Sequence, residues 1–232
     1  MGERDLRALP RAAPRARRVI LGFSVEGRPI EAERLGPDGL TLLVFGAIHG
    51  DEPGSAELCV RFLERLSRRA PPVGVVVAPV VNPDGLERNR KDNARGVDLN
   101  RNFPAANWQL AHPPGYHSGA QPLSEPESAA LAGLIDAVRP AALVAVHQPF
   151  RCVNWDGPAR VLAARMSAAS GFPMRESVGY PTPGSFGSCY GVDRGLPVVT
   201  LELPRPVEDA DFDACLRALD CAILWIGSGA ER

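Results

Sequence analysis

The cysteines of this chain lack any regular spacing, so they predict neither a disulfide framework nor a structural zinc site. The 232 residues contain five cysteines, and no two of them form a Cys-x-x-Cys pair. An odd number of scattered cysteines is typical of reduced thiols, so the sequence favours a cytoplasmic protein over a secreted one.

Long apolar runs are also missing. No stretch of about 18 apolar residues is present, so we predict no transmembrane helix. Residues 1–18 are rich in arginine and lack the apolar segment of a secretory signal. We interpret residues 1–18 as a basic, flexible leader and residues 19–232 as a single domain.

The chain has no large excess of charge of either sign. Its 26 Lys and Arg residues and 27 Asp and Glu residues give a formal net charge of -1. This balance provides no general electrostatic attraction to nucleic acid or to a membrane surface, and we expect neither as a partner.

Apolar strands and amphipathic segments alternate along the rest of the chain. The pattern predicts strands at residues 19–23, 30–34, 40–47, 73–81, 141–146 and 197–203. It predicts helices after Pro53, from a capping box at Ser124 to about Val138, at 158–170 and from Asp209 to about Gly227. This alternation is typical of an α/β sheet covered on both faces, which binds ligands at the carboxyl ends of its strands. The long polar segment 82–123 is therefore expected to be functional.

Two histidines and a glutamate stand where predicted strands end. His49 follows one strand, with Glu52 three residues later, and His147 follows another. Imidazole and carboxylate groups bind zinc, and a catalytic zinc needs three protein ligands and an open position for water. Simpler interpretations stay open: Glu52 as a helix cap beside a loop histidine, and His147 as a structural residue. We interpret His112 and His117 as non-ligands.

Other polar residues suit the hydrolysis of an amide bond. Glu202 lies in an apolar strand, where it is either a general base or an exposed edge residue. Asn100 and Arg101 can clamp a substrate carboxylate, although Arg101 could instead pair with Asp98 in the loop. Arg90 could stabilise the oxyanion that forms during hydrolysis.

These motifs, in this order, resemble those of the zinc carboxypeptidase family, and they cover about residues 20–205. The matching segments are Gly27-Arg28-Pro29-Ile30, Gly46-Ala47-Ile48-His49-Gly50-Asp51-Glu52, Asn82-Pro83-Asp84-Gly85, Gly96-Val97-Asp98-Leu99-Asn100-Arg101-Asn102-Phe103, Ser124-Glu125-Pro126-Glu127, His147 and Glu202. The resemblance implies a three-layer α/β/α sandwich around a mixed, mostly parallel sheet. It makes residues 19–232 a zinc peptidase catalytic domain.

The same resemblance implies a metal and a base. One zinc ion per chain would be held by His49, Glu52 and His147, and Glu202 would be the general base. We expect the chain to be a metallopeptidase on this basis.

The resemblance also assigns the groups that hold the substrate. Arg90 matches the family's oxyanion arginine, and Asn100 and Arg101 match its clamp for the terminal carboxylate. Tyr180 is our assignment for the family's loop tyrosine, and Tyr190 is its rival.

Within the family, the chain is most similar to the bacterial murein peptide amidases, through residues 147–149, 156–158 and 182–188. This similarity implies cleavage of the γ-D-glutamyl–meso-diaminopimelate bond of murein tripeptide during peptidoglycan recycling in the cytoplasm. The partner would be a small peptide, and the protein would be a monomer or a homodimer. Alternatives are a carboxypeptidase for other C-terminal peptides, an N-acyl amino acid deacylase, and a non-catalytic peptide binder.

Overall fold

The structure is a computed structural model that describes residues 16–110 and 116–229. Most of the expected leader and the side chain of His112 lie outside these residues. Arg17 and Arg18, which we placed in the leader, instead begin the first strand because they pair with Arg34 and Glu33. Within the described ranges, no helix has the length and apolar character needed to cross a membrane.

An eight-stranded mixed sheet forms the centre of the molecule. Its strands are β1 (Arg17–Phe23), β2 (Pro29–Leu35), β3 (Thr41–Phe45), β4 (Gly74–Ala78), β5 (Ala142–His147), β6 (Phe150–Asp156), β7 (Met174–Arg175) and β8 (Val198–Pro204). They lie in the order β1-β2-β4-β3-β5-β8-β6-β7. The central strands β4, β3, β5 and β8 are parallel, whereas β1, β2 and β6 each pair antiparallel with a neighbour.

Helices cover both faces of this sheet. They are α1 (Pro53–Arg68), the short α2 (Pro83–Glu87), α3 (Pro126–Val138), α4 (Arg160–Ser170) and α5 (Asp209–Gly227). One apolar core lies between the sheet and α1, α4 and α5, and a second lies between the other face and α3. The architecture is therefore the expected α/β fold with a mixed sheet between two helical layers.

The start of α3 differs from the predicted capping box. The helix begins at Pro126, Glu125 occupies the N-cap position, and its side chain makes no capping hydrogen bond. Ser124 Oγ instead donates to Glu125 Oε1, at 2.8 Å. Glu127 accepts a hydrogen bond from the Val25 backbone N–H, at 3.0 Å. Glu125 and Glu127 also accept from Asn93 Nδ2, at 2.8 and 3.1 Å, so their carboxylates attach the polar segment 82–123 to the start of the helix instead of capping it.

Candidate metal centre and active site

Three buried side chains meet where β3 and β5 end. His49 Nδ1 lies 2.9 Å from Glu52 Oε1, and His147 Nδ1 lies 3.0 Å from Glu52 Oε2. One ligand atom from each of the three residues lies within 4.8 Å of the others. Two imidazole nitrogens and a carboxylate that converge on one point form a donor set suited to zinc.

The local backbone explains why Glu52 reaches the histidines. Glu52 occupies the N-cap position of α1 but makes no side-chain capping bond, so the helix-cap interpretation does not describe its side chain. Ser55 stabilises the turn between β3 and α1. Its Oγ donates to the Glu52 carbonyl at 2.6 Å and accepts from the Ala47 N–H at 2.8 Å. Gly50 is required here, because a Cβ at this position would lie 2.0 Å from the backbone of Gly85.

The triad attracts positive charge. Burial alone would lower the pKa of His49, but the carboxylates of Glu52 and Asp98 outweigh burial and raise that pKa to about 10. Burial alone would raise the pKa of Glu52, but the two histidines lower it to about 2. Such a site favours a bound cation, and its chemistry therefore fits a metal ion.

Asp98 contacts His49 of the triad on its second ring nitrogen, a role that we did not predict for it from the sequence. Its Oδ1 lies 3.1 Å from His49 Nε2, and it is fully buried. Burial opposes ionisation of Asp98, but His49, Arg101 and Lys91 together lower its pKa. A carboxylate on the second ring nitrogen holds a metal-binding histidine in one orientation and tautomer. In the sequence, Asp98 could have been assigned to the site from its position two residues before Asn100, in the Asp-x-Asn-Arg motif.

Asn100 and Arg101 lie in a single 3₁₀ turn, Leu99–Arg101, that faces the triad. Asp98 caps this turn by accepting from the Asn100 N–H at 3.0 Å. Arg101 is 3% exposed, and its one hydrogen bond within the described chain goes from Nη1 to the Asn100 carbonyl, at 2.6 Å. The remaining guanidinium donors are available to a substrate carboxylate.

Glu202 reaches the same cavity from β8. It pairs with His147 in the parallel register of β5 and β8, and it is 4% exposed. The edge-strand interpretation is therefore wrong, because β8 lies between β5 and β6. Burial, with a smaller contribution from the Glu52 charge, raises the pKa of Glu202 above that of a free glutamate. A carboxylate with a raised pKa is suited to accept and return a proton.

The two candidate tyrosines occupy different environments. Tyr180 lines the cavity, is 41% exposed, and has its ring centroid 6.5 Å from that of Phe150. Tyr190 is 1% exposed and packs against Phe103 and Phe186 in the core. The structure therefore brings Tyr180 to the site and leaves its rival outside.

The structure leaves Arg90 outside the lining of the cavity. Its side chain is exposed and is not among the residues that line the cavity. The next residue, Lys91, turns inward instead: its Nζ lies 2.6 Å from Asp98 Oδ2 and 4.0 Å above the ring centroid of Tyr116. Backbone hydrogen bonds hold both residues in place: the Arg90 N–H donates to the Gly85 carbonyl at 2.9 Å, and the Lys91 carbonyl accepts from the Gly50 N–H at 3.2 Å.

The cavity also contains residues that the sequence analysis did not assign to the site. It is lined by the triad, Glu202, Arg101 and Tyr180, and in addition by Asn154, Asp156, Glu176, Thr182, Gly187 and Thr200. Three of these additional residues lie on β6 or β8, and the others lie in the segment that follows β7. The site is thus a polar cavity that contains the candidate metal centre.

Known proteins resemble this chain in sequence. Residues 3–167 match the family described as zinc carboxypeptidase. Murein peptide amidase A of Escherichia coli (strain K12) is 36% identical over 202 residues, which cover 82% of each protein. Murein peptide amidase A of Vibrio campbellii is 34% identical over 189 residues, which cover 76% of this chain and 74% of that protein.

Solved structures share the fold. The crystal structure of murein-tripeptide amidase from Escherichia coli O157 matches with a TM-score of 0.74 and 32% identity, over 93% of this chain and 95% of that one. Thrombin activatable fibrinolysis inhibitor matches with a TM-score of 0.78 and 17% identity, over 93% and 72% of the two chains, which demonstrates a common fold alone. From the family match and the extent of these relationships, the chain belongs to the zinc carboxypeptidase family.

Proposed function

We propose that this protein is a zinc-dependent amidase that hydrolyses the γ-D-glutamyl–meso-diaminopimelate bond of murein tripeptide. The observation that carries the proposal is one cavity that combines the His49, Glu52 and His147 donors with Glu202 and Arg101. The extended similarity to murein peptide amidases supports the substrate class. Cleavage of a free tripeptide would be a step of peptidoglycan recycling, and a cytoplasmic location would agree with the five free cysteines.

The donor set determines which residues would hold the metal. His49 and His147 would bind through Nδ1 and Glu52 through its carboxylate, because these atoms face one another. When bound, zinc supplies a Lewis acid and a water of lowered pKa. Asp98 would hold His49 in position throughout the cycle.

The protein side chains would then act as follows. Arg101 binds the terminal carboxylate of the peptide and thereby places the scissile amide beside Glu202. A Glu202 carboxylate oxygen accepts a proton from the attacking water and afterwards donates it to the departing amide nitrogen. Tyr180, at the open side of the cavity, covers the bound residue.

The first experiment is the release of diaminopimelate from L-Ala-γ-D-Glu-meso-diaminopimelate by purified, zinc-loaded protein, measured with and without a chelator. We expect release that the chelator abolishes and that added zinc restores. No release by a protein with stoichiometric zinc would contradict the murein substrate. Parallel assays would then test the two alternative reactions. Hydrolysis of other peptides would indicate a general carboxypeptidase, and hydrolysis of N-acyl amino acids would indicate a deacylase.

A second prediction concerns the adjacent residues Arg90 and Lys91. We propose that Lys91, rather than Arg90, supports the site, because its ammonium group compensates the buried charge of Asp98, which in turn contacts His49. Lys91→Ala is expected to weaken zinc binding by up to about 10-fold, the lower end of the effect of an outer-shell partner, because Lys91 acts on His49 only through Asp98. Arg90→Ala is expected to change it less than about 2-fold, since an exposed charge contributes little.

Both variants would be examined by zinc titration against a competing chelator and by kcat/KM. Lys91→Arg keeps the positive charge and is expected to restore most of the zinc affinity. If Arg90→Ala lost more zinc affinity than Lys91→Ala, the supporting role would belong to Arg90 instead.

A further inference from the structure

A γ-linked peptide carries a carboxylate that Arg101 and the metal ligands leave unbound. When glutamate is joined through its side-chain carboxyl group, its α-carboxylate stays free on the acyl side of the scissile amide. Arg101 is the one arginine or lysine among the described residues that line the cavity, and we assign it to the carboxylate of the released residue. A charged partner for the α-carboxylate must therefore come from the rim of the cavity.

Arg205 lies at the rim, next to the metal ligands. It follows β8, three residues after Glu202, and its Nη2 donates to the backbone carbonyl of Asp51. Asp51 directly precedes the ligand Glu52 in the turn between β3 and α1. The Arg205 guanidinium therefore reaches from the end of β8 to the turn that carries His49 and Glu52.

The backbone that precedes Arg205 is attached to two neighbouring elements. Gln148 Nε2 donates to the Pro204 carbonyl at 3.0 Å, and Gln148 Oε1 accepts from the Gly54 N–H at 2.9 Å. One buried side chain thus connects the end of β8, the end of β5 and the start of α1. Because Gln148 also lines the cavity, this arrangement fixes the origin of the Arg205 side chain relative to the site.

Most donors of the Arg205 guanidinium have no partner in the described chain. Arg205 is exposed, and within residues 16–110 and 116–229 its one hydrogen bond is the contact with the Asp51 carbonyl. In the same part of the chain it forms no ion pair, not even with the carboxylate of Asp51. A guanidinium presents five N–H donors in a planar fork, so donors remain for bidentate binding of a carboxylate.

Arg205 and Arg101 approach the metal ligands from different sides. His49 Nδ1 faces Glu52 at 2.9 Å, whereas His49 Nε2, on another edge of the ring, faces Asp98 at 3.1 Å. Arg101 belongs to the turn that Asp98 caps, and Arg205 contacts the residue before Glu52. A peptide whose terminal carboxylate binds Arg101 and whose scissile bond lies at the triad therefore directs its acyl portion towards Arg205.

The distances allow direct binding. From Arg205 Nη2, one hydrogen bond, one peptide unit and one extended side chain lead to the Glu52 carboxylate, so these groups are at most about 11 Å apart. In a γ-linked glutamate, four C–C bonds place the α-carboxylate oxygens up to about 6 Å from the scissile carbonyl carbon. With a contact of about 3 Å at each end, the ligand spans about 12 Å. The α-carboxylate can therefore reach Arg205 while the scissile carbonyl lies beside Glu52.

We propose that Arg205 binds the free α-carboxylate of a γ-linked acidic residue on the acyl side of the scissile bond. The contact favours a peptide with an acidic group at this position over one with a neutral group. It thus assigns part of the substrate discrimination to a residue outside the cavity lining. The inference rests on the proposed function, because it assumes that the scissile bond of a γ-linked peptide lies at the triad.

The test compares two tripeptides that differ in one functional group. In L-Ala-γ-D-Glu-meso-diaminopimelate the α-carboxylate is free, and in the isoglutamine analogue it is a carboxamide. The wild-type protein is expected to prefer the first by about 10-fold in kcat/KM, the lower end for a hydrogen bond to a charged group because Arg205 is exposed. Arg205→Gln is expected to remove most of this preference by lowering kcat/KM for the carboxylate peptide alone.

Two further variants identify the origin of any effect. Arg205→Lys keeps the positive charge without the planar fork and should retain part of the preference. Arg151 lies on β6, next to β8, but it stacks 4.6 Å from the ring centroid of Phe172 and lies 3.7 Å from Asp211, so Arg151→Gln should leave the preference intact. An equal loss in Arg151→Gln would indicate a general positive potential and would overturn direct binding by Arg205.

Calorimetric titration of the zinc-loaded protein with the two acyl products separates this inference from the proposed function. L-Ala-D-Glu carries the α-carboxylate, and L-Ala-D-isoglutamine carries an amide in its place. Tighter binding of L-Ala-D-Glu, lost in Arg205→Gln, would support the role of Arg205 even if no tripeptide were hydrolysed. Equal binding of both products by the wild-type protein, or binding of neither, would overturn it even if the tripeptide were a substrate.

Arg205→Gln also removes the contact with the Asp51 carbonyl, so its zinc content and melting temperature are measured beside its kinetics. We expect both to match those of the wild-type protein. An equal fall in kcat/KM for the two tripeptides, together with a loss of zinc, would assign Arg205 to the support of the turn and would overturn its role in substrate binding.

Discussion

Replacement of Glu202 by glutamine is expected to lower kcat by about 100- to 10,000-fold, the range for loss of a general acid–base group. Zinc should remain bound, because Glu202 is outside the His49, Glu52 and His147 cluster. The glutamine keeps the size of the side chain, and its oxygen can still accept from the Phe150 N–H, which lies 3.4 Å from Glu202 Oε2.

The stability of Glu202→Gln provides an independent measurement. The folded-state pKa of Glu202 is raised, mainly by burial, so ionisation of this group opposes folding near neutral pH. A neutral glutamine does not carry this cost, and we expect the melting temperature of the metal-free protein to stay the same or to rise. A destabilised variant would instead indicate that the carboxylate has a structural function.

Glu127→Gln is the matched control for this experiment. Glu127 is fully buried, and burial raises its pKa as well, but it contacts the Val25 N–H and Asn93 rather than the cavity. This variant should retain kcat within about 3-fold and lose stability through its weakened hydrogen bonds. Near-normal turnover in Glu202→Gln would exclude Glu202 as the base.

Replacement of His147 by alanine is expected to have the largest effect on metal binding. One of three protein ligands is lost, so the affinity for zinc should fall by more than the roughly 10- to 100-fold that outer-shell partners contribute. Among the residues that the structure describes, Glu52 Oε2 would keep its contact with the Gln148 N–H, at 3.2 Å, and lose the one with His147. Activity should be lost together with the metal.

Zinc-dependent stability provides the measurement for His147→Ala. A ligand that binds only the folded state raises the melting temperature by an amount that grows with the logarithm of its concentration divided by its dissociation constant. The melting temperature of the wild-type protein should therefore rise with added zinc, whereas that of His147→Ala should not respond at the same concentrations. His117→Ala is the matched control, because His117 is exposed and its Nδ1 accepts from the Gly119 N–H. Full zinc occupancy in His147→Ala would remove His147 from the ligand set.

The sequence by itself determined the elements whose signals are local. Runs of apolar residues marked the central parallel strands, and the residues directly after these runs were the ones that converge: His49, His147 and, on β8, Glu202. The carboxyl ends of adjacent parallel strands lie at one edge of a sheet, so their position in the chain predicts their proximity. Arg101 was predicted for a related reason, because its turn lies within a dense local cluster of polar residues, 98–102.

The tertiary structure decided everything that depends on long-range pairing or on the direction of a loop side chain. Arg90 and Lys91 are adjacent in sequence, and only the folded turn directs the second inward. Tyr190 enters the core because it packs against Phe103, which is distant in the chain. Asp156 joins the cavity because β6 pairs antiparallel with β8, a contact between segments more than 40 residues apart. Hydrophobic periodicity records which face of an element is buried, but it does not record which element lies opposite.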